Sequence, residues 1–261
     1  MKKKLFIRGI FILVSVMSVV AYLVFQGIFI PNQISADKYE IKGVDVASYQ
    51  GDIDWRELEK QNMKFAFIKA TEGSAFVDKY FSKNWTNANK TSMRVGAYHF
   101  FSFDSKGETQ AEQFIRNVPK YKQALPPVID VEFYANKKDN PPKREDVTKE
   151  LSVMIEMLEK HYGKKVILYA TQEAYDLYIK DAYPQCDIWI RSVLTKPSLS
   201  DERNWTFWQY TNRGKLSGYN GKEKYIDLNV FYGNEEEFEN YGMKDKVLKC
   251  TTCCTLFLLN T

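Results

Sequence analysis

Histidine is nearly missing and cysteine is scarce: two of the first and four of the second in 261 residues. Cys250, Cys253 and Cys254 crowd into the terminal LKCTTCCTLFLLNT, which leaves Cys186 alone in the body of the chain. A zinc site needs four ligands, or three plus water, and no spacing here supplies a complete set. Acidic residues are absent from positions 1–30, where Lys2, Lys3, Lys4 and Arg8 stand. Of 37 basic residues, those four account for the whole formal charge of +4, leaving 33 against 33 elsewhere. The remainder carries no strong basic stripe, which argues against a nucleic-acid partner. Internal repeats and low-complexity segments are also missing. What is abundant is aromatic surface, 15% of residues, which suits an aromatic-lined groove and equally an aromatic core.

The N-terminus carries the clearest topological signal. After KKK the chain is mostly apolar from Leu5 to Ile30, and from Gly9 to Phe25 it is uncharged for 17 residues. That is near the lower limit for crossing a hydrocarbon core, and the flanking positive charge keeps the N-terminus cytoplasmic. A cleavable signal has a shorter apolar core and a small-x-small site after it. Here the only candidate, Ile34-Ser35-Ala36, begins with a bulky residue, so an uncleaved anchor is favoured over a cleaved signal. The expected organisation is a signal or anchor segment over 1–30, a linker over 31–40, a barrel domain over 41–243 and a tail of unknown role over 244–261. The matching location is the cell envelope, membrane-anchored with the domain outside the cytoplasm, or secreted if the segment is cleaved.

Beyond position 40, strand-like and helix-like segments alternate. Strands are expected at 41–48, 65–71, 95–102, 128–133, 166–171, 187–193, 206–211 and 225–231, several of them near-continuous apolar runs. Such runs mark strands covered on both faces, as in a parallel sheet wrapped by helices. Helices are expected at 55–61, begun by Asp54 as N-cap, at 109–118, and at 143–162, where apolar residues recur at helical spacing and Gly163 stops the run. Eight such strands argue for an α/β fold with a closed barrel, an irregular (β/α)8-type TIM-like barrel with an N-terminal transmembrane or signal segment. The glycine-rich stretch 212–224 reads as a hairpin or loop, so the barrel is expected to be incomplete, with an antiparallel element near its end.

One stretch, LPPVIDVEFY (Leu125 to Tyr134), sets Asp130 and Glu132 in an apolar strand. Residues i and i+2 share a face, roughly 7 Å apart at the backbone. Asp45 and Asp227 also fall late in their strands, and in a β/α barrel working residues gather at the C-terminal strand ends. Each carboxylate alone is explained as a loop cap or as a partner of Lys69, Arg191 or Arg213. The set is not, because crowded like charges repel until one takes up a proton or finds a cation. Cleaving an acetal needs a carboxylic acid to protonate the leaving oxygen, with negative charge or a nucleophile opposite. Glu132 is the better acid, because crowding by Asp130 and a walled site raise its pKa; Asp130 would tune it, and Asp45 and Asp227 would position substrate or water. Tyr49, Tyr98, Phe101, Tyr134, Tyr169, Trp189, Trp208 and Tyr210 lie near strand ends, where rings can stack on sugars. Of these Tyr49, Tyr98, Tyr134, Tyr169 and Trp208, with Gln209, are the substrate-binding candidates. His99 reads as a satisfied core residue.

Six blocks, GVDVASYQGDIDW, FAFIKATEG, GAYHFF, LPPVIDVE, FWQYTNRG and IDLNVF, together resemble the glycoside hydrolase family 25 lysozymes, N-acetylmuramidases that cleave peptidoglycan. The likeness runs from about Lys42 to Tyr241. It implies an irregular β/α barrel with an acidic groove that cuts the β-1,4 bond from N-acetylmuramic acid to N-acetylglucosamine, without a metal or organic cofactor. By that resemblance Glu132 matches the catalytic acid and Asp130 its partner carboxylate, while Asp45 and Asp227 match the other acidic positions. One departure stands in DIWIRSVLTKP, where Arg191 and Ser192 follow a strand that family members often end with an aromatic. The partners expected are peptidoglycan glycan strands and a membrane, through the N-terminal helix, with the protein a monomer. Two other readings remain: a wall-binding barrel that holds glycan without cutting it, and a chitinase-like hydrolase.

Overall fold

A computed structural model describes residues 2–243; the cysteine-bearing tail lies outside the described residues. Nine strands form one sheet: β1 (Lys42–Val46), β2 (Phe65–Glu72), β3 (Phe76–Val77), β4 (Arg94–Phe100), β5 (Val128–Val131), β6 (Ile167–Thr171), β7 (Asp187–Arg191), β8 (Phe207–Gly214) and β9 (Ile226–Phe231). All eight expected strands form, and β3 is a short flap paired antiparallel to β2. From β1 through β2, β4, β5, β6 and β7 to β8 each neighbour pairs in parallel. β9 runs antiparallel to both β8 and β1. The antiparallel element is therefore where the glycine-rich loop placed it, and the β1–β2 and β1–β9 ladders close the eight staves as expected, so the incompleteness is confined to the helices. No edge is left over among those staves, which is the physical gain of closure. The regular alternation of strand and helix stops after β7, since no helix connects β7 to β8 or β8 to β9.

Period-two alternation sorts the side chains into two layers. Phe65, Phe67, Val128, Ile167, Tyr169, Trp189, Phe207 and Phe231 point into the barrel, while Val44, Val46, Ala66, Ile68, Ile129, Val131 and Leu168 face the helices. The interior packs ring on ring: Phe67 stacks on Trp189 at 4.6 Å and meets Phe207 edge-on at 5.2 Å. Two glycines make room for these rings. A Cβ on Gly43 would lie 2.5 Å from the Phe65 ring, and one on Gly96 2.6 Å from that of Phe67.

The helix Trp55–Lys60 starts at Asp54, whose carboxylate accepts the amides of Arg56 and Glu57. The helix Arg144–Tyr162 buries Val147, Leu151, Met154, Ile155 and Leu158 and ends at Gly163 with φ +65°, and a third helix spans Gly107–Asn117. A helix at Phe81–Ala88 was not expected; only Phe81, Asn84, Trp85 and Ala88 are buried in an otherwise polar stretch. At the N-terminus a 24-residue helix, Lys2–Phe25, is solvent-exposed along nearly its whole length. At 1.5 Å per residue it is about 36 Å long, enough to cross a hydrocarbon core. The segment after it, 31–40, packs on the barrel, with Asn32 and Ala36 buried.

Candidate active site

Toward the C-terminal ends of the parallel strands the inward positions change from aromatic to charged. Asp45 on β1, Lys69 on β2, Asp130 and Glu132 from β5, Arg191 ending β7, and Asp227 opening β9 line a cavity of about 530 Å3, within the range usual for ligand pockets. β9 runs the other way, so its first residues reach the rim where its neighbours end.

Asp45 is buried, and its Oδ2 accepts from Asn229 Nδ2 at 2.7 Å and Gln209 Nε2 at 2.8 Å. Both amides are oriented from behind: Asn229 Oδ1 accepts from Trp189 Nε1 at 2.8 Å, and Gln209 Oε1 accepts from Tyr169 OH at 3.0 Å. Asp45 sits directly opposite Asp227 in the β1–β9 register. Burial raises the pKa of both; the amide bonds work against the rise at Asp45, while repulsion from Asp45 adds to it at Asp227. A proton on Asp227, hydrogen-bonded to Asp45, resolves the clash.

Asp130 is buried, and its Oδ1 has no hydrogen-bond partner among the described residues. Burial first, then repulsion from Glu132, pushes its pKa well up against the pull of Lys69. Lys69 itself is held by Glu72 at 2.7 Å and lies 5.0 Å from the Phe100 ring centre. Glu132 is half-buried and its carboxyl is pushed up to about 7, chiefly by burial; Arg191 opposes the rise and Asp45 adds to it. The expected direction holds: of the two expected causes the walled site acts first at Glu132, while the repulsion between the neighbours falls on Asp130.

Tyr98 and Tyr169 line the cavity, and Tyr49 stands exposed at its mouth. Tyr134 lines it too, its hydroxyl pinned by donation to Asp104 Oδ2 at 2.9 Å and by acceptance from the Phe103 amide at 2.9 Å. Gln209 reaches the site through Asp45. Trp208 does not. Phe207 and Gln209 face inward on β8, so Trp208 between them must face outward; it is fully buried against Trp205 and Tyr39, with Nε1 donating to Ser192 O at 2.8 Å. Phe101 and Tyr210 belong to the same outer layer. His99 is a satisfied core residue, between Thr71 Oγ1 at 2.7 Å and Gln110 Oε1 at 3.1 Å, and burial lowers its pKa to about 4.

Asn229 was not among the site candidates, Trp189 was named only as a ring near a strand end, and Arg191 only as a possible ion-pair partner. Spacing alone could have found them: Asn229 stands two after Asp227 in IDLNVF, and Arg191 two after Trp189 in DIWIR. Among the described residues no group of three or more His, Cys, Asp or Glu is placed to hold a metal ion.

This arrangement meets known proteins at one point. The model of the family described as Glycosyl hydrolases family 25 matches residues 44–219. The chain belongs to glycosyl hydrolase family 25. The matched span contains Asp45, Asp130 and Glu132, and Asp227 lies just beyond it. A solved family 25 glycosyl hydrolase from Bacillus anthracis is 99% identical with a TM-score of 0.77, covering 79% of this chain and 95% of that one. The uncharacterized protein YegX of Escherichia coli O157:H7 is 34% identical, over 79% of this chain and 76% of its own. Lysozyme M1 of Streptomyces globisporus is 31% identical, over 76% of this chain and 70% of its own.

Proposed function

We propose that this family 25 chain is a membrane-anchored lysozyme, cutting the β-1,4 bond between N-acetylmuramic acid and N-acetylglucosamine in peptidoglycan, with Glu132 as the acid. One observation carries this reading: a half-buried glutamic acid with its pKa near 7, in a cavity that Asp45, Asp130 and Asp227 also line. A group with that pKa is still largely protonated where a free carboxylic acid has already ionised, so it delivers a proton to the departing glycosidic oxygen near neutral pH.

Asp130 shares the face of Glu132, and its unpartnered Oδ1 suits the amide N–H of a 2-acetamido group. Held that way, the acetamide oxygen attacks the anomeric carbon as the C–O bond breaks and Glu132 protonates the leaving oxygen. Glu132, now a carboxylate, then takes a proton from the water that opens the cyclic intermediate. The D-x-E pair fits this substrate-assisted route. Asp45, fixed through Gln209 and Asn229, with Asp227 opposite it in the register, places negative charge across the rim from Glu132, where positive charge develops on the sugar.

The anchor reading is supported by the packing of 31–40. Cleavage after Ala36 would strip Asn32 and Ala36, both buried, from the barrel. The domain then works outside the cytoplasm while Lys2–Phe25 holds it to the membrane.

Digesting purified peptidoglycan and identifying new reducing ends by mass spectrometry tests the proposal. Muramic acid ends are expected. Glucosamine ends would point to chitinase-like cleavage, and no new ends to a barrel that binds without cutting; either result contradicts the proposal.

A further inference from the structure

The end of the N-terminal helix meets the barrel at the mouth of the cavity. Tyr225 OH donates to Phe25 O at 3.2 Å, and the Arg213 guanidinium lies 4.8 Å from the ring centres of both Phe25 and Tyr225. Both Arg213 and Tyr225 also line the cavity. Gly27 has φ +59°, and a Cβ there would run into the Arg213 carbonyl, so only glycine lets the chain pass so close. Asn32, buried, then donates to Ser192 O at 2.8 Å and Tyr210 O at 3.3 Å. The exit from the helix is thus bolted to one side of the active-site rim.

Two chemistries surround that exit. Along 213–224 stand Arg213, Lys215, Lys222 and Lys224 against a single acid, Glu223, and the three lysines are exposed. Lys224 and Lys215 place their ammonium groups 4.8 and 5.8 Å from the Tyr225 ring centre, and Lys224 also reaches Gln26 Oε1 at 3.5 Å. On the chain just after Gln26, Ile28, Phe29 and Ile34 are 65%, 48% and 81% exposed, although Gly27 and Asn32 among them are tied to the barrel. Apolar side chains next to lysines, at the point where a spanning helix leaves the hydrocarbon, match the boundary between acyl chains and headgroups.

We propose that the loop 215–225, with Ile28, Phe29 and Ile34, binds anionic phospholipid headgroups and seats the active-site mouth against the bilayer. The proposal rests on reading Lys2–Phe25 as a membrane span. The lysines meet lipid phosphates and the apolar residues dip below them. The mouth then opens at headgroup level, so the glycan it takes is the strand lying next to the membrane.

The full-length protein, placed in nanodiscs of mixed phosphatidylglycerol and phosphatidylcholine or of phosphatidylcholine alone, tests this by hydrogen exchange read by mass spectrometry. Amides of 215–225 are expected to exchange about tenfold more slowly in the anionic discs, a factor that a few headgroup contacts supply. The double variant Lys215→Glu, Lys222→Glu should abolish that difference while keeping wild-type turnover of soluble glycan fragments, since neither lysine lines the cavity. Equal exchange in both lipids, or a difference that survives the double variant, overturns the proposal. Amides of 2–25 report separately: fast exchange there in both discs refutes the membrane span itself, and with it the seating, while leaving the assignment of Glu132 intact.

Discussion

The two halves of the barrel interior are built from the same strands and solve opposite problems. The lower half is a closed stack of rings, Phe65, Phe67, Trp189, Phe207 and Phe231, with no charge among them. The upper half, two or four residues further along the parallel strands and earlier on the antiparallel β9, gathers Asp45, Asp130, Glu132, Arg191 and Asp227 around a cavity. The lower half stabilises by burial and packing. The upper half holds carboxyl groups whose pKa values burial has raised, which costs stability when they ionise. The contrast assigns the fold to one end of each strand and the chemistry to the other.

The largest expected effect comes from Glu132→Gln, which keeps the shape of the side chain and removes its proton. Turnover of peptidoglycan should fall by about 10^3-fold, within the range for loss of a general acid, while circular dichroism and the melting temperature show an intact fold. A lower-half truncation should behave in the opposite way. Phe67→Ala removes a fully buried ring and should cost about 3–5 kcal/mol in urea unfolding, with the surviving folded fraction retaining its pH profile. If Phe67→Ala shifted that profile, the two halves would not be separable.

Arg191→Met sharpens the comparison within the upper half. Arg191 pulls the Glu132 pKa down, so its removal should raise that pKa above about 7 and carry the alkaline limb of the rate profile upward, with little change in rate at acid pH. Stability should depend on pH in the same sense. The folded state holds a proton on Glu132 up to about 7, against an ordinary value of 4.5, so its contribution is fully present below 4.5 and is lost as pH rises through 7. Glu132→Gln should therefore flatten the fall of melting temperature over that interval. The smallest effect belongs to Trp208→Phe. Its indole faces the outer layer, and Ser192 O keeps a second donor in Asn32. A loss of about 1 kcal/mol or less is expected, with KM unchanged.

Much of this division was legible in the sequence. The i, i+2 spacing of Asp130 and Glu132 put both on the inner face, and Asp54 and Gly163 marked helix ends because caps are local chemistry. Trp208 was misplaced because nearness to a strand end was allowed to outweigh the alternation that Phe207 and Gln209 define. Asn229 was passed over and Arg191 weighed only as an ion-pair partner because neither is a carboxylate or a ring, although the same alternation places them at the rim. Eight covered strands argued for closure, but the ladders that achieve it were not legible, since β1 pairs with both β2 and β9, long-range contacts that no local pattern encodes. Both causes offered for the raised pKa of Glu132 were named, but their order was not legible: desolvation is a property of the assembled walls, whereas the charge of Asp130 can be read two residues away.

The most direct test of the account is a 13C titration of the glutamate side-chain carboxyl carbons in the full-length protein, with Glu132→Gln identifying the resonance. The account predicts a carboxyl that titrates near 7 and vanishes in the variant. A Glu132 resonance titrating near the ordinary value of 4.5 would contradict it.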